Sequence, residues 1–132
     1  MKKEYFLITE RNEYKLLIDE SSGIEKDLLA NEPVKGEGKN IGGEIFYIID
    51  IDIPFNGKEQ EVFNIGDVVY WRSQKEKKFA IALFYGNTKF GNGDAPTAAS
   101  PCIKFASIVG SCIDLESVST GSELQIICRE IA

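Results

Sequence analysis

The sequence predicts a mainly β fold, a single closed β-barrel of about eight strands with one or two short capping helices. Three observations support this prediction. Residues 65–87 contain two apolar runs joined by a charged turn, turn-forming residues recur at regular intervals, and only two short segments have helical spacing. A parallel α/β fold needs a helix between most of its strands, so the pattern favours an all-β arrangement.

The two runs within residues 65–87 predict neighbouring strands at the centre of the fold. Because side chains alternate, the second strand has a bulky face and a mostly small face. These faces consist of Phe79, Ile81, Leu83 and Tyr85 on one side and of Ala80, Ala82 and Phe84 on the other. Small residues leave room for a ligand against the sheet. We expect Phe84 at the end of that space, beside Trp71 or Tyr70.

The N-terminal segment predicts a hairpin followed by a short helix. Tyr5–Thr9 and Tyr14–Asp19 are runs of strand-forming residues separated by polar ones. The segment Ser22 to Glu25 has the form of a capping box, with a serine three residues before a glutamate. A helix is therefore expected near Ile24–Asn31, ended by Pro33, where it would cover the open end of the barrel.

Residues 34–43 are rich in glycine and predict either a loop or a bulged, weakly specified strand. Their spacing matches neither of the glycine-rich phosphate-binding motifs. Glu44–Ile53 follows as a long strand, and its apolar residues on both faces predict a central position. Asn56-Gly57 is a tight-turn signal, and Pro54 confines the preceding segment to an edge or a strand end.

Two acidic features resemble cation sites, and neither pattern supports one. Asp50 and Asp52 would share one face of a strand, but a solvated strand end explains the pair better because further oxygen ligands are missing. The long connection 86–101 contains Asn92-Gly93-Asp94, which lacks the alternating ligands and the closing glutamate of a calcium loop. We therefore expect no metal and no cofactor.

The C-terminal third predicts a strand, a short helix and a last strand. Cys102–Ile113 is rich in strand-forming residues, and Asp114 is expected to cap a helix near Asp114–Ser119 that ends at Gly121. Beyond it, apolar residues alternate with polar ones and predict a strand with one buried face. The apolar positions are Leu124, Ile126 and Cys128.

Length and charge limit the possible partners. With 132 residues, 43% of them hydrophobic, the chain is expected to form one domain over residues 1–132. Its net charge of -6 repels phosphate backbones and anionic lipids, so we expect neither nucleic acid nor a membrane surface as a partner. The first apolar run is broken by Glu10 and Arg11 before it reaches the length of a signal peptide, which predicts a cytoplasmic location.

Cysteine and histidine usage argues against common catalytic sites. Cys102, Cys112 and Cys128 are an odd number of cysteines without redox or zinc-ligand spacing, so we expect them to be buried small hydrophobic residues. The chain contains no histidine. That absence excludes Ser-His-Asp and Cys-His arrangements and every histidine-ligated metal site.

Four segments resemble the cyclophilin-like barrel family of small prokaryotic proteins, whose function is largely unassigned. They are GDVVYW at residues 66–71, ALFYGNT at 82–88, AASP at 98–101 and KFASIVG at 104–110. Their order and spacing cover roughly half of the chain. The resemblance implies a barrel that is structurally similar to that of cyclophilins.

Cyclophilins proper isomerise X–Pro bonds in a shallow groove outside the barrel, where an arginine converges with aromatic side chains. The strands within residues 65–87 resemble those that form this groove. By position, the resemblance implies a groove lined by Tyr70, Trp71, Ala82, Phe84, Tyr85 and Asn87. The segment that would carry the arginine, residues 38–50, offers only Lys39. Arg72 is the nearest alternative, and its place beside the charged turn 73–78 predicts a solvated side chain.

Two functions remain open on this basis. The first is a binding module that uses the groove for a small molecule or a peptide. The alternative is a peptidyl-prolyl isomerase with a non-standard catalytic set, in which Arg72 would be the catalytic residue; flexible Lys39 makes a poor donor to a twisted amide. A third interpretation treats the aromatic rings as packing only. The sequence predicts neither the ligand nor the oligomeric state.

Overall fold

The computed structural model describes residues 2–91 and 93–131, and within them nine antiparallel strands form one sheet. The strands are β1 (Lys2–Ile8), β2 (Glu13–Ile18), β3 (Val34–Asn40), β4 (Glu44–Ile49), β5 (Gln60–Val62), β6 (Asp67–Ser73), β7 (Lys78–Phe84), β8 (Thr97–Ile108) and β9 (Glu123–Ile131). One helix, α1 (Glu25–Leu29), and two 3₁₀ turns, Glu20–Ser22 and Ile113–Ser117, complete the regular structure. Asn92, part of the rejected calcium-loop motif, lies outside the described residues.

Eight of these strands close into a ring in the order β2-β1-β9-β3-β4-β7-β6-β8, and pairing of β8 with β2 completes it. The predicted mainly β fold, with a closed arrangement of about eight strands and few short helices, is therefore confirmed. β5 pairs with β8 outside the ring and was not predicted. Its three residues are all exposed, so no alternation of buried and exposed positions marks it in the sequence.

The inside of the ring is filled by large apolar side chains. Its most deeply buried members include Leu7, Ile45, Tyr47, Tyr70, Ile81, Leu83 and Phe105, all fully buried. The buried tyrosine hydroxyls find partners, as polar groups in a core must. Tyr47 donates to the Val34 carbonyl at 3.0 Å, and Tyr70 donates to the Ile51 carbonyl at 2.7 Å. We call this cluster the inner core.

A second, smaller cluster lies outside the ring, where the start of β8 and the segment beside β5 cover the outer faces of β6 and β7. This outer core consists of Phe63, Val69, Ala82, Phe84, Ala98 and Cys102. The rings of Phe63 and Phe84 stack at its centre, with centroids 5.1 Å apart and an interplanar angle of 13°. Phe46 and Trp71 pack against its edge.

The first helix is shorter than predicted and begins differently. α1 covers Glu25–Leu29 rather than Ile24–Asn31, and its N-cap residue, Ile24, has no capping side chain. Ser22 instead donates its hydroxyl to the Glu25 carboxylate at 2.9 Å, so the serine and glutamate of the predicted capping box pair with each other. The serine oxygen also accepts the backbone N–H of Ile24 at 3.3 Å.

The second predicted helix is a 3₁₀ turn over Ile113–Ser117, whose N-cap residue is Cys112 rather than Asp114 and has no capping side-chain bond. The Asp114 carboxylate is engaged elsewhere. It accepts hydrogen bonds from the Tyr14 hydroxyl at 2.8 Å and from the Asn12 side chain at 3.1 Å. Because the Asp114 carboxylate accepts these bonds from the β1–β2 hairpin, it does not form the N-cap that the local sequence predicts.

The middle of the chain differs from prediction in its strand boundaries. The glycine-rich segment 34–43 is mostly strand β3, so it is a strand rather than the loop that was the other predicted alternative. β4 ends at Ile49, so Asp50 and Asp52 lie beyond the strand. Asp52 accepts from Arg72 Nε at 2.6 Å, and a two-residue carboxylate pair is therefore not available.

Other sequence-based expectations can be compared with the structure. Cys102 and Cys112 are buried free thiols, as expected, whereas Cys128 is only half-buried. Across residues 2–91 and 93–131, no three or more histidine, cysteine or acidic side chains come together in an arrangement suited to a metal ion. Within the same residues, no helix has the length and apolar character needed to span a bilayer.

Candidate functional site: a groove outside the ring

A groove lies on the outer face of β4, β7 and β6, and strand register builds its floor. Side chains of β4 alternate, so Ile45 and Tyr47 enter the inner core while Phe46 and Ile48 face outward. The outward residues meet the small residues of β7. The cross-strand pairs are Phe46–Ala82, Ile48–Ala80 and Trp71–Ala80. The floor is therefore low at its two alanines and bordered by larger side chains.

The walls come from β8 and from two loops. β8 contributes Ala98, Ala99, Ser100 and Cys102, and the connections contribute Ile41 and Phe90. The enclosed space is about 230 Å³. Ligand sites for drug-sized molecules have volumes of roughly 300–1,000 Å³, so this groove suits a single ring or one side chain. Ile48 and Phe90 are 50% and 40% exposed and leave it open to solvent.

Trp71 is held in a fixed orientation at one side of the groove. Its indole Nε1–H donates to the Ser100 hydroxyl at 2.5 Å, which ties β6 to the start of β8. The other end of the ring packs against the outer core. This bond supplies the partner that a partly buried indole N–H needs, and it fixes the orientation of the half-buried ring.

Glu44 is the first residue of β4 and contributes the one carboxylate among the described groove-lining residues. It is only 8% exposed, and no donor among residues 2–91 and 93–131 hydrogen-bonds its Oε1. Burial disfavours the charged form and raises the pKa of Glu44 to about 7. The neighbouring Cys102 thiol stays neutral, because burial, and then the charges of Glu44 and Glu61, raise its pKa to about 12.

Two of the predicted site residues, Trp71 and Ala82, line the groove. Tyr70 and Tyr85 point the other way, into the inner core. The Tyr70 hydroxyl accepts the backbone N–H of Ile53 at 2.9 Å, and the Tyr85 hydroxyl donates to Asn40 at 2.6 Å. The expectation that these tyrosines line the groove is therefore revised; their alternation places them on the inner face.

Phe84 shares the outer face with Ala80 and Ala82, as alternation predicts, but it does not reach the groove. Its side chain is fully buried under the segment beside β5 and stacks on Phe63. Asn87 is exposed in the following loop, where its side-chain amide donates to the Gly93 carbonyl. Neither residue lines the groove among the residues that the structure describes.

Arg72 and Lys39 occupy different places relative to the groove. Arg72 lies on the face of Tyr70, so it does not line the groove. Its guanidinium pairs with Asp52, whereas the sequence predicted a solvated side chain. Lys39 lies at the rim, where its Nζ is 6.0 Å from the centroid of the Phe46 ring. No arginine is found among the lining residues of the described chain.

Sequence reasoning missed nine lining residues: Glu44, Phe46, Ile48, Phe90, Ile41, Ala98, Ala99, Ser100 and Cys102. The first three share one face of β4, and the same period-two argument that separated Ala80 from Ile81 identifies them once β4 is paired with β7. Phe90 belongs to the long connection after β7, and no periodic signal indicates where a loop residue points.

Comparisons with known proteins agree with this architecture. The solution structure of a hypothetical protein from Archaeoglobus fulgidus has a TM-score of 0.74 and 23% sequence identity, and the match covers 96% of this chain and 94% of that chain. At this identity, the likeness shows the fold. No curated protein matches the sequence. The family model described as Cyclophilin-like matches residues 4–127. The resemblance inferred from the sequence is thus confirmed, and the chain belongs to the cyclophilin-like family.

Proposed function

We propose that this protein is a binding module that takes a small, largely apolar ligand, or one apolar side chain of a peptide, in the groove beside Trp71. The observation that carries the proposal is an open concavity of about 230 Å³ whose floor is formed by alanines and whose sides include three aromatic rings. Soluble proteins place their ligand sites in such concavities, lined mainly by apolar and aromatic side chains with a few polar groups.

The energetics favour occupation of the groove. Ile48 and Phe90 expose about half and two fifths of their surfaces, and a ligand above them removes apolar area from water at about 25 cal/mol per Å². Trp71 is already fixed by Ser100, so little side-chain ordering accompanies binding. The fixed Trp71 ring beside the alanine floor is therefore preorganised to contact a flat ring of a ligand.

The isomerase alternative has less support. A prolyl isomerase must stabilise the nitrogen of a twisted amide with a well-placed donor, and arginine does this well because its planar guanidinium stays charged. Arg72 faces away from the groove and pairs with Asp52, and Lys39 approaches only its rim. Of the polar side chains that line the groove, Glu44 is acidic and Ser100 accepts the indole N–H of Trp71.

Trp71 provides a direct test because it is the single tryptophan of the chain. We expect its emission to change saturably when the neutral single-ring probe 2-phenylethanol is titrated into the protein. Ala80→Leu, which fills the floor, should abolish the change, whereas Ala30→Leu, an exposed alanine after α1, should not. Matching thermal unfolding of the two variants verifies folding. An emission response that is absent in the parent, or unchanged in Ala80→Leu, overturns the proposal.

A further inference from the structure

The Glu44 carboxylate is the least explained polar group of the described structure. Its Oε1 is the buried side-chain oxygen or nitrogen that has no hydrogen-bond partner among residues 2–91 and 93–131. Leaving a buried acceptor unpaired costs free energy, and such groups in folded proteins call for an explanation. Because this carboxylate lines the groove, a ligand in the groove is placed to supply the missing donor.

The surroundings of Glu44 favour a cationic donor. Phe46, Trp71 and Phe90 line the same groove, and the faces of aromatic rings attract cations. Lysine ammonium groups already lie over two of these rings, Lys39 at 6.0 Å from Phe46 and Lys89 at 5.5 Å from Phe90. Neither lysine pairs with Glu44 in the described residues. The net charge of -6 also draws cations toward the protein.

We propose that the ligand of the groove is a small free primary amine, bound as its ammonium ion, whose N–H donates to Glu44 while its apolar body lies on Ala80 and Ala82. This inference rests on the proposed function and names its ligand class. A primary ammonium carries three donors, which satisfy a carboxylate more fully than an amide or a hydroxyl. A charge-assisted hydrogen bond is also stronger than a neutral one.

The volume of the groove limits the body of the amine. At about 230 Å³ the space is smaller than the sites of drug-sized ligands, so one ring with a short linker fills it. A lysine side chain carries the same ammonium group on a thin aliphatic stem. That stem contacts less of the floor and of the rings, which is why we assign the site to a free amine that carries a ring.

Proton linkage gives this site a recognisable signature. The titratable group beside Glu44 on β8 is the Cys102 thiol, which also feels the charge of Glu61, and Lys39 of β3 lies over the Phe46 ring. The raised pKa of Cys102 keeps the thiol neutral near pH 7, so Glu44 is the group that changes charge there. An ammonium ion prefers the ionised carboxylate. Amine binding should therefore strengthen as pH rises through about 7 and release a proton below it.

The test is calorimetric titration of the full chain with phenethylamine and with 2-phenylethanol at pH 6 and pH 8. We expect the amine to bind more tightly than the alcohol and to gain affinity at pH 8, while the alcohol is indifferent to pH. Glu44→Gln should weaken amine binding by about tenfold or more and leave alcohol binding within about twofold. Glu130→Gln, an exposed carboxylate on β9 outside the groove lining, is the matched control and should change neither.

The possible failures are separable. If the alcohol binds as tightly as the amine and Glu44→Gln changes neither affinity, the amine assignment is overturned while the groove remains a binding site. If neither probe binds the parent protein, both proposals are overturned. Nα-acetyl-lysine amide, which models a lysine side chain with a free ammonium group, is titrated in parallel. Tighter binding of this compound than of phenethylamine overturns the assignment to a free amine that carries a ring.

Discussion

The inner face of β7 is filled by large side chains of the ring core, whereas its outer face leaves an open groove beside two alanines. The inner side chains are Phe79, Ile81 and Leu83, and the outer ones are Ala80, Ala82 and Phe84. All six are buried. The two faces differ in what covers them. Side chains from the other strands of the ring pack closely against the inner face, whereas β5 and the start of β8 cover only part of the outer face.

This comparison separates the residues that hold the fold from those available to a ligand. In the inner core every hydroxyl named above has a partner, while the groove contains an acidic side chain whose Oε1 has none in the described chain. An apolar concavity with one unpaired polar group is a poor solution for stability alone. The proposed ligand accounts for this arrangement because it would supply both the missing packing and the missing donor.

The largest effect tests whether Phe84 belongs with the core or with the groove. Because its ring is fully buried and stacked on Phe63, Phe84→Ala should lower the free energy of unfolding by about 3–5 kcal/mol. Phe90→Ala, at the open side of the groove, should lower it by less than about 1 kcal/mol. Urea unfolding of both variants measures this difference. Equal losses would remove the distinction between a closed outer core and an open groove.

The next effect concerns the pH dependence of stability. The pKa of Glu44 is raised from 4.5 to about 7, so between these values the native state holds a proton that the unfolded state has lost. Stability from this group is therefore complete below about pH 4.5 and is lost as pH rises through about 7. The total is on the order of 3 kcal/mol.

Glu44→Gln should abolish this loss. The difference in unfolding free energy between parent and variant, measured from pH 4 to pH 8, should grow in favour of the variant as pH rises. Other carboxylates titrate equally in both proteins and cancel in the difference. A difference in unfolding free energy that stays constant with pH would show that Glu44 is as well solvated as an exposed glutamate. The contrast between hydrogen-bonded polar groups in the inner core and an unpaired carboxylate in the groove would then be lost.

A smaller effect compares the two faces with one substitution. Ile81 is fully buried in the inner core and Ile48 is 50% exposed at the groove. Ile81→Val should lower the unfolding free energy by about 0.5–1.5 kcal/mol, whereas Ile48→Val should change it by less than about 0.5 kcal/mol. Thermal unfolding resolves this pair. A loss at Ile48 equal to that at Ile81 would mean that the groove is packed as tightly as the ring.

The smallest expected effect is on prolyl isomerisation. No arginine among the described residues lines the groove, so the protein should leave the isomerisation rate of a proline peptide near its uncatalysed value. Arg72→Ala should behave like the parent in a protease-coupled assay. Strong acceleration that disappears in Arg72→Ala would contradict the geometry in which Arg72 pairs with Asp52, and it would make Arg72 the catalytic residue.

Much of the fold follows from periodicity, and part of the groove does too. Alternation in β7 predicts which side chains share a face, and the structure confirms the division into Ile81 with Leu83 and Ala80 with Ala82. The motif order predicts the family, and the family predicts the closed ring. These features depend on local period and on the order of segments, which a sequence displays directly.

Depth and coverage do not follow from periodicity. Phe84 has the correct face, but β5 and Phe63 cover it, and a short strand of exposed residues leaves no pattern. Glu44 stands at the start of a strand, where a carboxylate is normally solvated, and it lies in a groove that Cys102 of β8 and Phe90 of the connection after β7 help to form. Both outcomes are set by segments far away in the sequence, so no local signal could have predicted them.

The most direct measurement of the central claim is a carbon-13 methyl spectrum of the alanine-labelled protein, recorded with increasing phenethylamine. The alanine methyl groups that line the groove belong to Ala80, Ala82, Ala98 and Ala99. Two built-in controls are Ala106 in the inner core and Ala30 after α1. We predict saturable shifts confined to the four groove methyls. Saturable shifts of Ala106 or Ala30 in their place, or no shift of any methyl, would contradict the assignment of the groove as the binding site.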